Sequence, residues 1–229
     1  MNIFNIIGNF FAEGGFFMYP VLLVAALGTA IVIERMLYVG RSSTNAESLW
    51  QKIRPALTEQ RIDEAIKICQ AGTRPIHHVL LAGLRAAKPA SGREPIQRSM
   101  EEAMLEVLPP LERRTPYLPI LANVATLLGL LGTIIGVIEA FAAVSAADPS
   151  QKAVLLAHGI SVALNMTAFG LMVAVPLILF YALLQSRTTK IIDAIDQYST
   201  KLANLFANRP SGTTPERSLG HVAAAPKSS

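Results

Sequence analysis

The sequence predicts an all-α fold: a polytopic membrane protein with three transmembrane helices, two of them extending into the cytoplasm, and a small helical cytoplasmic region. Three observations carry this. Residues 14–33, 115–138 and 153–186 contain no Asp, Glu, Lys or Arg, and each run is long enough to cross a bilayer core as a helix. The last reaches roughly 50 Å at helical rise, more than the roughly 30 Å of that core, so it projects past it. Charged residues make up 16% of the chain and hydrophobic ones 52%, against a usual charged share of about 25%, and mean hydropathy is +0.41. The basic residues are also one-sided. Of twenty Lys and Arg, twelve lie between residues 41 and 116 and six follow from Arg187, while Arg35 marks the inner end of the first span and Lys152 alone is left for the other side. The positive-inside rule then sets the N-terminus outside and the large loop and tail in the cytoplasm. The pI of 9.4 reflects topogenic charge and needs no nucleic-acid partner.

Each element follows from its own pattern. Residues 1–13 read as an external interfacial helix, because Ile3, Ile6, Ile7, Phe10 and Phe11 share one face. Gly14 and Gly15 release the chain into the first span, 14–40. No Lys or Arg precedes Arg35, so this run is expected to stay as a helix and not to leave as a cleaved signal. In the cytoplasmic helical region, 41–114, Ile62, Ala65, Ile66 and Cys69 recur at helical spacing with Gly72 in the place of a C-terminal cap. Cys69, the single cysteine, reads as a small apolar helix residue. Pro75 opens a helix carrying Val79, Leu80 and Leu84, and residues 88–92 break it. An amphipathic helix follows through Ile96, Met100, Met104 and Val107, disturbed at Pro109 and Pro110. The second span covers 115–144, an external turn 145–152, and the third span with its cytoplasmic extension 153–186. A cytoplasmic helix over 187–207 and a disordered Pro-, Ser-, Gly- and Ala-rich tail over 208–229 complete the chain.

The specific signal lies in the second and third spans. Gly129, Gly132 and Gly136 are three and four residues apart on one helix face, where another helix can approach closely. Thr133 sits beside that face. The third span repeats the idea with Gly159 and Gly170 and carries Ser161, Asn165 and Thr167. A lone intramembrane Thr ordinarily bonds its own helix, and a lone glycine motif serves packing. If the second span exits near Val144 and the third enters near Val154, however, Thr133 and Thr167 both lie roughly 15 to 20 Å below the outer surface and face one another. A polar level inside an apolar bundle is the expected lining of an ion path. The chain carries no metal cluster, phosphate loop or nucleophile motif, so no enzyme and no cofactor is expected, and the adjacent His77 and His78 read as a solvated or structural pair.

At these residues the chain resembles the MotA/TolQ/ExbB proton-channel family, and within it the three-span ExbB/TolQ branch. The marks are Gly-Gly-x-x-Met-Tyr-Pro over 14–20, Glu34-Arg35, the Leu-Leu-Gly-Leu-Leu-Gly-Thr run ending at Thr133, and Thr-Ala-x-Gly-Leu from Thr167. The resemblance implies a homo-oligomeric ring, a pentamer, in the bacterial inner membrane, with the N-terminus periplasmic and the C-terminus cytoplasmic. The ring would enclose a one-span partner resembling ExbD or TolR, whose intramembrane Asp carries the ion past Thr133 and Thr167. Ion entry would drive relative motion and work on the envelope through a TonB- or TolA-like effector. A stator for gliding or surface-polysaccharide machinery, or a passive membrane scaffold, are the alternative readings.

Two features depart from the family pattern, Val162 and Glu139, and Asn165 is also unexpected. Val162 stands where ExbB-like proteins often have Glu, so a relay through that position does not carry over. Glu139 lies near the outer end of the second span, either as an interfacial charge or as a lure for cations at the mouth. Asn165 either bonds across helices or offers an oxygen near the ion level. Sodium-driven members of the family tend to carry two adjacent threonines at this level, whereas here Met166 precedes Thr167, so the resemblance implies H⁺ as the coupling ion; a bare Na⁺ needs several oxygens in place of its hydration shell, of which Asn165 could supply one.

Overall fold

The computed structural model describes residues 17–43, 45–87 and 92–207, and among them every regular element is an α-helix. In chain order these are α1 Met18–Ser42, α2 Ala46–Thr58, α3 Ile62–Gln70, α4 Pro75–Ala86, α5 Arg93–Glu112, α6 Tyr117–Ala146 and α7 Lys152–Ala207. The interfacial helix read over 1–13, the Gly14-Gly15 release and the tail 208–229 lie outside the described residues. Three helices are long and apolar enough to cross a membrane, and α1, α6 and α7 supply their apolar stretches. The α7 helix has 56 residues, about 84 Å at helical rise. Pro176 lies inside it without ending it, and residues 187–207 continue it without a break. The second span is preceded by α5, a separate helix joined to α6 by residues 113–116.

Two apolar clusters share α7. The first joins Val21, Val24 and Val32 of α1, Leu118, Ala122 and Ala125 of α6, and Ala174, Leu177 and Leu184 of α7. The second is built from large side chains: Trp50, Ile53 and Leu57 of α2, Leu80 and Leu84 of α4, Ile96 and Met100 of α5, and Ile195, Tyr198, Leu202 and Phe206 at the end of α7. The Trp50 and Tyr198 rings pack tilted at 45° with 5.6 Å between centroids, and the Tyr198 hydroxyl donates to Glu47. That bond pushes the Tyr198 phenol up to about 12. Cys69 is buried in this cluster, and desolvation pushes its thiol up to about 11, so it stays protonated and apolar at neutral pH.

Local chemistry explains the helix ends. Pro75 occupies the first turn of α4, where its missing N–H costs nothing. Gly72 directly follows Ala71, the C-cap of α3, where a terminating glycine belongs, but it does not adopt a left-handed φ. Its small size is required by packing, since a Cβ there would run into the His77 ring. The α5 helix runs through Pro109 and Pro110 to Glu112. Arg113 then turns extended and Arg114 takes φ 68, which frees the last α5 carbonyls. The buried Arg35 guanidinium covers two of them, donating to the carbonyls of Pro110 (3.0 Å) and Leu111. Its neighbour Glu34 pairs with Arg114. The Glu34-Arg35 step thus pins the C-terminal half of α1 to the elbow between α5 and α6.

Candidate ion path between α6 and α7

The α6 and α7 helices run antiparallel, and their contact is made by residues with little or no side chain. A Cβ on Gly129 would stand 3.1 Å from the Met166 carbonyl oxygen and 3.2 Å from the Gly170 Cα. One on Gly170 would stand 2.7 Å from the Ala125 carbonyl oxygen and 3.1 Å from the Gly129 Cα. Gly132 faces Met166, Gly136 faces Ala163 at 3.1 Å, and Gly159 lies against Ala140. The backbones are therefore in near contact, as small residues allow in lipid. Ala140 and Ala163 belong to this seam as fully as the five glycines singled out from sequence, and their small-residue spacing was the signal available for them.

Close approach brings two hydroxyls together. Thr133 Oγ1 and Thr167 Oγ1 are hydrogen-bonded to one another. Thr133 also lies 3.1 Å from the carbonyl oxygens of Gly129 and Ala163, and Thr167 lies 3.3 Å from that of Gly129. Two hydroxyl protons thus have two carbonyls and one another as acceptors, and both residues remain half-buried. By helical register both project from the same flank of the seam. The α1 helix covers the other flank: Ala25, Thr29 and Val32 line a groove with Val173, Pro176 and Leu177, residues turned well away from Thr167 around α7. The paired hydroxyls therefore open on the flank that α1 leaves uncovered. Thr126, one heptad before Thr133 and so on that same flank, bonds its own helix at the Ala122 carbonyl, 3.1 Å away; the sequence reading passed over it.

The other two candidates do not join this pair. Asn165 is two residues from Thr167 and projects from nearly the opposite side of α7; among the described residues its side chain forms no hydrogen bond to the protein. Glu139 is exposed, about 9 Å beyond Thr133 along α6 and about 120° around it, on the flank of α1. Val162 is half-buried. Among the described residues no group of His, Cys, Asp and Glu is placed to hold a metal ion. Chemically, the site offers hydroxyl and carbonyl oxygens but no titrating group, so it can guide a proton carried by another group and cannot itself carry one.

Residues 71–197, more than half of the chain, match the MotA/TolQ/ExbB proton channel family. The chain is similar to a protein of Methanothermobacter thermautotrophicus named as an ExbB homolog, with 25% identity over 198 residues covering 86% of this chain and 69% of the relative. It is 32% identical to the Tol-Pal system protein TolQ of Haemophilus influenzae over 118 residues, 52% of this chain and 51% of TolQ. Identity to the biopolymer transport protein exbB1 of Vibrio cholerae is 27% over 169 residues, 71% of this chain and 72% of the relative.

Proposed function

The chain belongs to the MotA/TolQ/ExbB proton channel family, and from that premise we propose that it is the ring subunit of an inner-membrane motor driven by the proton motive force. Several copies, five by the family resemblance, surround a one-span partner of the ExbD/TolR type, and that partner supplies the titrating Asp that this chain lacks. The N-terminus and the turn over 145–152 face the periplasm, while α2 to α5 and the end of α7 lie in the cytoplasm. Motion of ring and partner is passed to an envelope effector of the TonB or TolA type.

The observation that carries this reading is the Thr133–Thr167 pair, hydrogen-bonded across α6 and α7 and open on the flank away from α1. A partner helix seated on that flank would meet a polar level in an otherwise apolar wall. One hydroxyl donates to the other and the second to a carbonyl of Gly129 or Ala163; those carbonyls lie within helices and have backbone N–H donors of their own, so a hydroxyl proton can re-aim toward a carboxyl group. The orientation of Asn165 supports H⁺ over Na⁺, because it adds no oxygen at this level and Met166 is buried against Gly132. Thr133→Val and Thr167→Val keep shape and remove the hydroxyl. Each variant, reconstituted with the partner, is expected to assemble normally and to lose response to a pH gradient in sodium-free buffer. Full ion-driven activity in both variants, or activity that needs Na⁺ and survives collapse of the proton gradient, would overturn the assignment.

A further inference from the structure

Between the end of α1 and α7 lies a cleft of about 410 Å³, with Ser42, Ser43, Arg187 and Lys190 in its lining and no Asp or Glu. Arg187 and Lys190 stand one turn apart on α7, both are exposed, and no salt bridge engages either among the described residues. The carboxylates that adjoin the cleft in sequence are placed elsewhere. Glu47 accepts from Tyr198 and Gln51, and Asp193, one turn beyond Lys190, lies outside the lining. Ser42 is 9% exposed, and its hydroxyl has no hydrogen-bond partner among the described residues. A buried hydroxyl ordinarily has one. Two unpaired cations and an unpaired buried hydroxyl thus share one cavity.

The cleft has two unlike ends. Along α7 the cations come first, nearer the spans, and Ile191, Ala194 and Ile195 follow, so that Arg187 and Ile195 are roughly 12 Å apart along the axis. Ile76 of α4 joins the apolar end, and Ile76 and Ile195 belong to the core of the water-side bundle. The apolar wall therefore lies toward the bundle and away from the bilayer, which puts lipid tails on the wrong side of the cations. A ligand that uses both ends comes from water and carries an anionic head and an apolar body, the division of labour usual in small-molecule pockets. The head calls for more than a carboxylate. Two cations and the hydroxyls of Ser42 and Ser43 match the nearly double charge and three outer oxygens of a phosphate monoester.

We propose that this cleft binds a water-soluble phosphate monoester with an apolar or aromatic body, with Arg187, Lys190 and Ser42 on the phosphate and Ile191, Ala194 and Ile76 against the body. The ligand would tie the end of α1 to α7 where α7 passes from the spans into the water-side bundle. This goes beyond ion conduction and does not depend on it.

The test is calorimetric titration of the full chain in mild detergent with phenyl phosphate, inorganic phosphate and phosphatidylglycerol. Phenyl phosphate should bind, and inorganic phosphate should bind about tenfold more weakly, because burial of the ring adds to the same anion contacts. Arg187→Gln with Lys190→Gln, both at exposed positions that the fold tolerates, should weaken phenyl phosphate about a hundredfold, since each charge-assisted hydrogen bond counts for about tenfold. Ser42→Ala should weaken it about fivefold. Ile191→Ala should weaken phenyl phosphate and leave inorganic phosphate unchanged. Arg187→Lys with Lys190→Arg keeps both charges and should retain binding, as should Arg93→Gln on α5. No binding of phenyl phosphate, equal affinity for the two phosphates, or undiminished binding by the double Gln variant would each overturn the proposal. Displacement of phenyl phosphate by phosphatidylglycerol would make a lipid headgroup the ligand and overturn the soluble monoester.

Discussion

The seam between α6 and α7 and the bundle formed by α2 to α5 with the end of α7 are held by opposite means. At the seam, Gly129, Gly132, Gly136, Gly159, Ala163 and Gly170 bring backbones together, and large apolar side chains such as Leu127, Leu130, Ile134 and Leu171 point outward. In the bundle the large side chains point inward, with Ile53, Leu80, Leu84, Ile96 and Leu202 fully buried. Lipid is as apolar as leucine, so burying leucine between spans gains little, and contact and polar bonds decide which helices associate. In water the same burial is the main driving force. One helix, α7, obeys both rules along its length.

The largest expected effect tests the bundle. Leu80→Ala should cost about 2–5 kcal/mol and lower the melting temperature of the water-side helices. A cost below about 1 kcal/mol would mean that the bundle does not rest on this burial. At the seam the sign reverses and growth is what harms. Gly170→Ala drives a methyl into the Ala125 carbonyl and the Gly129 Cα, backbone that cannot swing aside. It should cost about 1–3 kcal/mol and abolish ion-driven activity with Thr133 and Thr167 unaltered. Gly83→Ala in the bundle sharpens the contrast. Its Cβ would meet the Met100 thioether at 2.6 Å, a flexible chain that can move, so thermal unfolding should show a smaller loss than for Gly170→Ala.

A smaller effect is expected at the hydroxyl pair. Thr133→Val should lower thermal stability in detergent by only about 0.6 to 2 kcal/mol while ion-driven activity is lost. A stability loss as large as that of Leu80→Ala would make the pair a structural clamp first.

The smallest effect is one of pH and belongs to the bundle. Burial, aided by the nearby Arg74, lowers the His77 pKa, and its Nδ1 is buried without a partner. The folded state therefore favours the neutral ring. Its contribution is fully present above the unfolded value near 6.5 and is lost as pH falls below that, because the unfolded chain then binds the proton more readily. Melting temperatures from pH 7.5 to 5 should fall more for the natural chain than for His77→Gln; equal slopes would remove His77 as the cause.

The sequence by itself determined what depends on each helix alone. Uncharged runs placed α1, α6 and α7 in a membrane, Pro75 opened α4, and the three- and four-residue spacing of Gly129, Gly132 and Gly136 marked the face that meets α7, because periodicity is a property of one helix about its own axis. Only the tertiary structure decided how those axes are rotated and levelled against one another. That rotation joins Thr133 to Thr167, turns Asn165 to the far side, leaves Glu139 on the flank of α1, and opens the hydroxyl pair on the flank that α1 does not cover. It also gives Arg35 its work, since the α5 carbonyls it caps are freed by an elbow about 75 residues away in sequence. The difference is physical: a helical face is fixed by bonds between residues three and four apart, whereas a contact between faces is chosen by the close packing of distant residues against backbone that cannot yield.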